Sequence, residues 1–226
     1  MPSGVLLLRL EAPLQSWGER SRWDVRDTAD RLTKSGVIGL LGAAFGYSRL
    51  DSRLRQLSET LRFGVRVDRP GERMVDFQTV TGVLPRADGK NKGKEDDPYT
   101  IISPRSYLQD ASFLVGLEGP MDTLKACKDA LLRPKWPVYL GRKCCPPAVP
   151  VFQKLSEGVT LEAAFKVVGL APRSGGQRPV VQYCEHPQGN EEVRDHYLAT
   201  PAREYGTTRY VLNKVELTKE SADVSE

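Results

Sequence analysis

Residues 35–47 (Ser-Gly-Val-Ile-Gly-Leu-Leu-Gly-Ala-Ala-Phe-Gly-Tyr) constrain the fold more than any other stretch. At about 100° per residue, Val37, Ile38, Leu40, Leu41, Ala44 and Phe45 fall in one arc. Ser35, Gly36, Gly39, Gly42, Ala43 and Gly46 fall in the opposite arc. The spacing predicts a helix over 35–47 with one packed face and one face of nearly bare backbone. Each interior glycine costs a helix about 0.5–1 kcal/mol relative to alanine. Several glycines on one outer face imply a close approach to that backbone. A nucleic-acid strand, a neighbouring subunit or the chain's own loop 11–34 would each supply it.

The flanking pattern predicts the other elements. Residues 4–10 alternate as a strand, with Leu6, Leu8 and Leu10 on one face and Arg9 on the other beside Val5 and Leu7. A second helix is expected over 52–60, and strands over 61–68, 74–83 and 105–117. A helix is expected over 121–132 and a strand over 135–142, ending in a proline-bracketed turn. Residues 84–98 are polar and glycine-bearing, which suits a mobile loop or the tip of a long hairpin. The order through residue 143 is then close to β-α-β-β-α-β, an α+β, ferredoxin-like plan with one extra hairpin. Residues 144–226 are expected as a small β-rich C-terminal region with an acidic tail.

Composition excludes several classes. Hydrophobic residues make up 39% and charged residues 27%, which excludes a disordered chain. No apolar run approaches the roughly 18 residues of a membrane helix, and Val5 to Leu8 is too short for a signal-peptide core. The expected compartment is therefore the cytoplasm, with no membrane partner. Cys127, Cys144, Cys145 and Cys184 have no zinc-ligand spacing, and the histidines are His186 and His196 alone. No metal site and no cofactor motif emerges. The net charge of +4 is unevenly spread. Residues 121–150 carry six bases against Asp122 and Asp129, a local excess compatible with a polyanion or with a solvated surface.

Three segments suit an anion or a nucleic acid. Thr33, Lys34, Ser35 and Gly36 open the glycine-faced helix, where free N–H groups and the dipole favour a phosphate, although Thr33 or Ser35 also suits an ordinary cap. This is no P-loop, because Thr28 and Thr33 stand where its glycines belong. Arg105 and Tyr107 share one strand face, either a common Arg–Tyr surface contact or a cation beside a ring able to stack on a base. Tyr139, Gly141, Arg142 and Lys143 lie on a turn between Pro137 and Pro146, where adjacent cations suit phosphates. Catalytic residues are not evident. A metal-independent ribonuclease needs a general acid and base, and no histidine precedes residue 186. Asp24, Asp27 and Asp30 alternate with Arg22, Arg26 and Arg31, the pattern of solvated ion pairs.

Five ordered motifs together carry a family resemblance. They are Leu8-Arg9-Leu10-Glu11-Ala12-Pro13-Leu14-Gln15-Ser16-Trp17-Gly18, the run from Thr33 to Ala43, Asp76-Phe77-Gln78-Thr79-Val80, the run from Arg105 to Phe113, and the run from Tyr139 to Pro146. The chain resembles the CasD subunits of Cascade, the type I-E CRISPR surveillance complex, strongly over 4–150 and loosely over 151–215. The resemblance implies an RRM-like (ferredoxin-like) fold with a protruding hairpin thumb at about 82–103. It implies a non-catalytic subunit that caps the 5′ handle of the CRISPR RNA in antiviral defence. Its partners would be the backbone and large subunits, with target DNA reached indirectly through the complex. Related proteins of type I-C systems cut the precursor RNA, so a metal-independent repeat endoribonuclease is the alternative. A stand-alone interaction module without RNA is a third.

Overall fold

The computed structural model describes residues 2–18, 25–86, 88–172, 180–200 and 204–215. β1 (Ser3–Glu11) and β2 (Leu14–Gln15) precede α1 (Lys34–Phe45), α2 (Ser52–Thr60) and β3 (Arg62–Arg69). β4 (Glu72–Gly82) runs out to a tip carrying β5 (Leu84–Pro85) and β6 (Asn91–Lys92), and β7 (Tyr99–Gln109) returns. β8 (Ser112–Pro120), α3 (Met121–Leu132), β9 (Phe152–Glu157), α4 (Leu161–Val167), β10 (Val180–Glu185), β11 (Glu191–Tyr197) and β12 (Tyr205–Val215) complete the chain.

Seven strands form one antiparallel sheet in the order β11-β12-β10-β3-β8-β1-β9. β2, β7 and β4 form a second sheet, and β5 pairs with β6. β1 is buried from Gly4 to Leu10 because both of its faces are covered. Leu6, Leu8 and Leu10 join Phe113, Val115 and Leu117 in a core that includes Val37, Ile38 and Leu41 of α1. Val5 and Leu7 pack on the opposite face with Leu161 and Phe165 of α4. Gly64 and Gly116 lie opposite each other in the register of β3 and β8. A Cβ on either would approach Leu161 within 2.7 Å, so the paired glycines form the floor on which α4 sits.

α1 is closed at both ends. Thr33 Oγ1 accepts from Gly36 N at 3.2 Å. At the far end Gly46 is left-handed (φ 72°), with Tyr47 N donating to Gly42 O at 2.8 Å.

The structure departs from the sequence expectations in three places. The strand expected over 105–117 is two strands in two sheets. Asp110 (φ 54°) turns the chain between β7 and β8, and its N–H donates to Pro13 O at 3.0 Å. Residues 135–142 form no strand, because Pro134 and Pro137 remove ladder donors and Lys135 N and Trp136 N donate to Ala44 O and Ala43 O at the end of α1. The sheet edge beside β1 is taken by β9 instead. The region after 143, expected as β-rich, also contains α4, capped by Thr160 and with Glu162 in its first turn. It adds β9 to one edge of the main sheet and β10 to β12 to the other. No described helix is long and apolar enough to cross a membrane.

Candidate nucleic-acid interface

The glycines of α1 prove to have different neighbours. A Cβ on Gly36 would lie 2.9 Å from Trp17 Cε3, so the loop after β2 covers that position. A Cβ on Gly42 would lie 2.7 Å from Leu54 Cδ2, so α2 packs there. Gly46 serves as the C-cap. A Cβ on Gly39 would meet nothing within 4 Å. Internal packing therefore accounts for Gly36 and Gly42, and open backbone remains at Gly39.

Gly39 lies on a cleft of about 550 Å³ that Ser35, Gly36, Tyr139, Gly141 and Lys143 also line. The 134–145 loop is held to α1 by Lys135 N and Trp136 N, which donate to Ala44 O and Ala43 O, and to the segment after β2 by Ser16 N, which donates to Leu140 O at 3.1 Å. Gly141 has φ 90°, and a Cβ there would fall 1.6 Å from Ser16 O. Gly141→Ala is expected to break this contact and lower the melting temperature, because neither the backbone angle nor the space admits a methyl. Thermal unfolding checks this, and an unchanged midpoint would contradict the account.

A second cleft of about 400 Å³ adjoins the first, sharing Ser16, Gly18 and Gly141, and is lined by Arg105 and Arg142. Arg142 lies 4.5 Å above the Tyr107 ring and donates from Nη2 to Arg26 O at 2.9 Å. Arg105 Nε and Arg142 Nη1 are buried with no hydrogen-bond partner among the described residues. Asp27 stands beside them in the same cleft.

Two expected site residues do not face either cleft. Lys34 is buried, and its Nζ pairs with Glu185 Oε2 at 2.7 Å. The anion expected at the start of α1 is an internal one, since Asp195 Oδ2 accepts from Lys34 N at 2.8 Å. Tyr107 is 2% exposed, with Arg142 over its ring and Cys144 Sγ 3.6 Å from its hydroxyl. Burial, with the Cys144 thiol alongside, pushes the Tyr107 phenol above its ordinary pKa. Ser35, Gly36, Gly39, Tyr139, Gly141 and Lys143 meet at the first cleft, and Arg105 and Arg142 at the second. The sequence reading passed over Tyr47, Arg49 and Tyr205, which also line the first cleft, and took Trp136 only as the start of the 136–147 turn without assigning it to the site. Trp136 had a signal, an aromatic between Pro134 and Pro137 with no apolar periodicity to bury it.

Asp27 and Asp30 pair with Arg73, at 2.8 and 2.7 Å, while Asp24 and Arg22 lie outside the described residues. Arg31 pairs with Glu191. Among the described residues no group of three potential ligands could hold a metal ion. Burial pushes the thiols of Cys127, Cys145 and Cys184 up to about 12. Cys144 is exposed. A maleimide at pH 8 is therefore expected to label the native protein once, at Cys144, and all four thiols after denaturation. Mass spectrometry of the labelled protein checks this.

Residues 5–211 match the family described as CRISPR-associated protein (Cas_Cas5). The chain belongs to that family. It is 34% identical over 216 residues to the CRISPR system Cascade subunit CasD of Escherichia coli (strain K12), a match covering 88% of this chain and 87% of the relative. A chain from a solved CRISPR RNA-guided surveillance complex superposes with a TM-score of 0.78 at 32% identity, covering 96% of this chain and 92% of that one. The crystal structure of a Cas protein superposes with a TM-score of 0.69 at 35% identity, covering 96% and 97%.

Proposed function

We propose that this chain is a non-catalytic RNA-binding subunit of a CRISPR surveillance complex, where it caps the 5′ handle of the CRISPR RNA. The observation that carries this reading is the meeting of open backbone at Gly39 with Tyr139 and Lys143 in one cleft, beside a second cleft holding Arg105 and Arg142. Exposed backbone, rings and cations together suit a single strand, whose phosphates dominate affinity and whose bases stack. Similarity to CasD and to a chain of a surveillance complex supports membership of such an assembly, in which the backbone and large subunits would be the neighbours.

The four-strand order β9-β1-β8-β3, with α1 and α2 crossing from β1 to β3 and α3 from β8 to β9, supports a ferredoxin-like, RRM-like core. In this reading the core runs through β9 rather than ending at residue 143. The arm of β4 and β7 is the thumb, with residues 82–103 at its outer end.

The full-length protein is expected to bind handle RNA and leave repeat RNA uncut, with or without Mg²⁺. Binding should weaken steeply as salt rises, because neutralised phosphates release counterions. Arg105→Ala and Arg142→Ala should lower affinity and flatten that salt slope. A defined cleavage product ending in a 2′,3′-cyclic phosphate would favour the endoribonuclease instead. Absence of any RNA binding, alone or in the assembled complex, would overturn the reading.

A further inference from the structure

We infer that Trp136 and Tyr139 form the base-stacking platform of the Gly39 cleft, receiving unstacked nucleobases of single-stranded RNA. This rests on the RNA-binding reading above and names which rings carry it. The choice among aromatic residues follows from which ring faces are free. Tyr107 is ruled out, because it is buried beneath Arg142. Tyr47 is ruled out as well. Phe45 stacks on it at 4.9 Å with planes 8° apart, and the Arg53 guanidinium lies 3.8 Å from the ring centroid. Tyr205 packs edge-on against Tyr197, with centroids 6.2 Å apart. Among the described residues no ring or cation covers Trp136 or Tyr139.

Trp136 is 49% exposed, although an indole is among the costliest side chains to leave in water. Its backbone is not free to move, since Trp136 N donates to Ala43 O at 3.1 Å and Lys135 N to Ala44 O at 2.9 Å. The ring is therefore held beside α1 on a fixed loop, where stacking costs little ordering entropy. The floor below is open backbone at Gly39, with the buried side chain of Leu40 also lining the cleft. Lys143 and Arg49 line the same cleft and suit the phosphates on either side of a stacked base. The shared residues Ser16, Gly18 and Gly141 make the Arg105–Arg142 cleft continuous with this one, so a strand whose bases stack here can pass its phosphates there.

The test is a fluorescence titration of the full-length protein with a short single-stranded RNA and with the same sequence as a duplex. The single strand should quench tryptophan emission, and the Trp136→Phe protein should lose that quench while retaining most of the affinity. Trp17 is 2% exposed and should not respond, and Trp23, which lies outside the described residues, is replaced (Trp23→Phe) in both proteins so that Trp136 is the reporter. Trp136→Ala and Tyr139→Ala should each weaken single-strand binding about 5- to 150-fold, the range expected for one base–aromatic stack. The duplex should bind less tightly and quench less, because its bases are already stacked. Arg105→Ala should lower affinity without changing the quench at saturation. If the wild type binds the single strand and the alanine variants bind equally well, the platform assignment fails and the RNA reading stands. If duplex and single strand bind and quench alike, the platform also fails. If the wild type binds neither RNA, the RNA reading fails and this inference with it.

Discussion

Asp68→Ala is expected to cost about 3–5 kcal/mol of stability, the range for breaking a buried ion pair from one side. Among the described residues, Asp68 is the one acid that pairs with the buried guanidinium groups of Arg9 and Arg66. Its Oδ1 accepts from Arg66 Nε at 2.7 Å, and its Oδ2 accepts from Arg66 Nη2 at 3.0 Å and from Arg9 Nη1. Both side chains of the Arg66–Asp68 pair are fully buried. Without the carboxylate, two cations would remain inside with backbone carbonyls as their acceptors: Phe165 O, Val168 O at 2.7 Å and Gly169 O at 2.9 Å from Arg66, and Gly169 O at 3.0 Å from Arg9. Ala171 N, which donates to Asp68 Oδ2 at 2.9 Å, would lose its partner as well. The cluster ties the segment after α4 to β1 and β3, so the variant should loosen that segment first. Urea unfolding should show a lower midpoint, and amide exchange should show early opening over 165–171. A loss below about 1 kcal/mol would mean that the carbonyls alone satisfy both guanidinium groups.

The second large effect is a contrast between two glycines one turn apart. Gly42→Leu should destabilise the protein by about 1–3 kcal/mol, the range for overpacking, because its side chain would enter the space of Leu54 and push α2 from α1. Gly39→Leu should be neutral or stabilising by up to about 1 kcal/mol, because it gains helix propensity in open space. It should instead weaken RNA binding by filling the floor of the cleft. Urea unfolding and RNA titration on the same two proteins separate the effects. Equal stability losses would show that the Gly39 side of α1 is packed as tightly as the Gly42 side.

That contrast shows what the sequence could and could not carry. The helix, its apolar arc and its glycine arc are local periodicity, and the structure reproduces them within two residues at either end. What covers each glycine is not local. Trp17 reaches Gly36 through the loop after β2, and Leu54 reaches Gly42 from the next helix. Lys34 reads as a phosphate ligand only while its distant partners are unknown, and Glu185 and Asp195 lie about 150 and 160 residues away. The break at Asp110 had little signature, because the alternation from 105 to 117 continues through it and only the left-handed residue changes sheet. α4 had a signature, Thr160 followed by Glu162, but its seven residues give too short a period to stand out. The 139–145 turn was legible because prolines and Gly141 are statements about backbone rather than about neighbours.

Single-stranded RNA is proposed to occupy the cleft between α1 and the 134–145 loop. Ultraviolet crosslinking of the assembled complex, followed by mass spectrometry of peptides carrying a nucleotide, tests it most directly. Crosslinks from this subunit should fall on Trp136, Tyr139 or Lys143. Crosslinks confined to other surfaces, such as the groove of Arg62, His186 and Arg209, would place the RNA elsewhere and contradict the account.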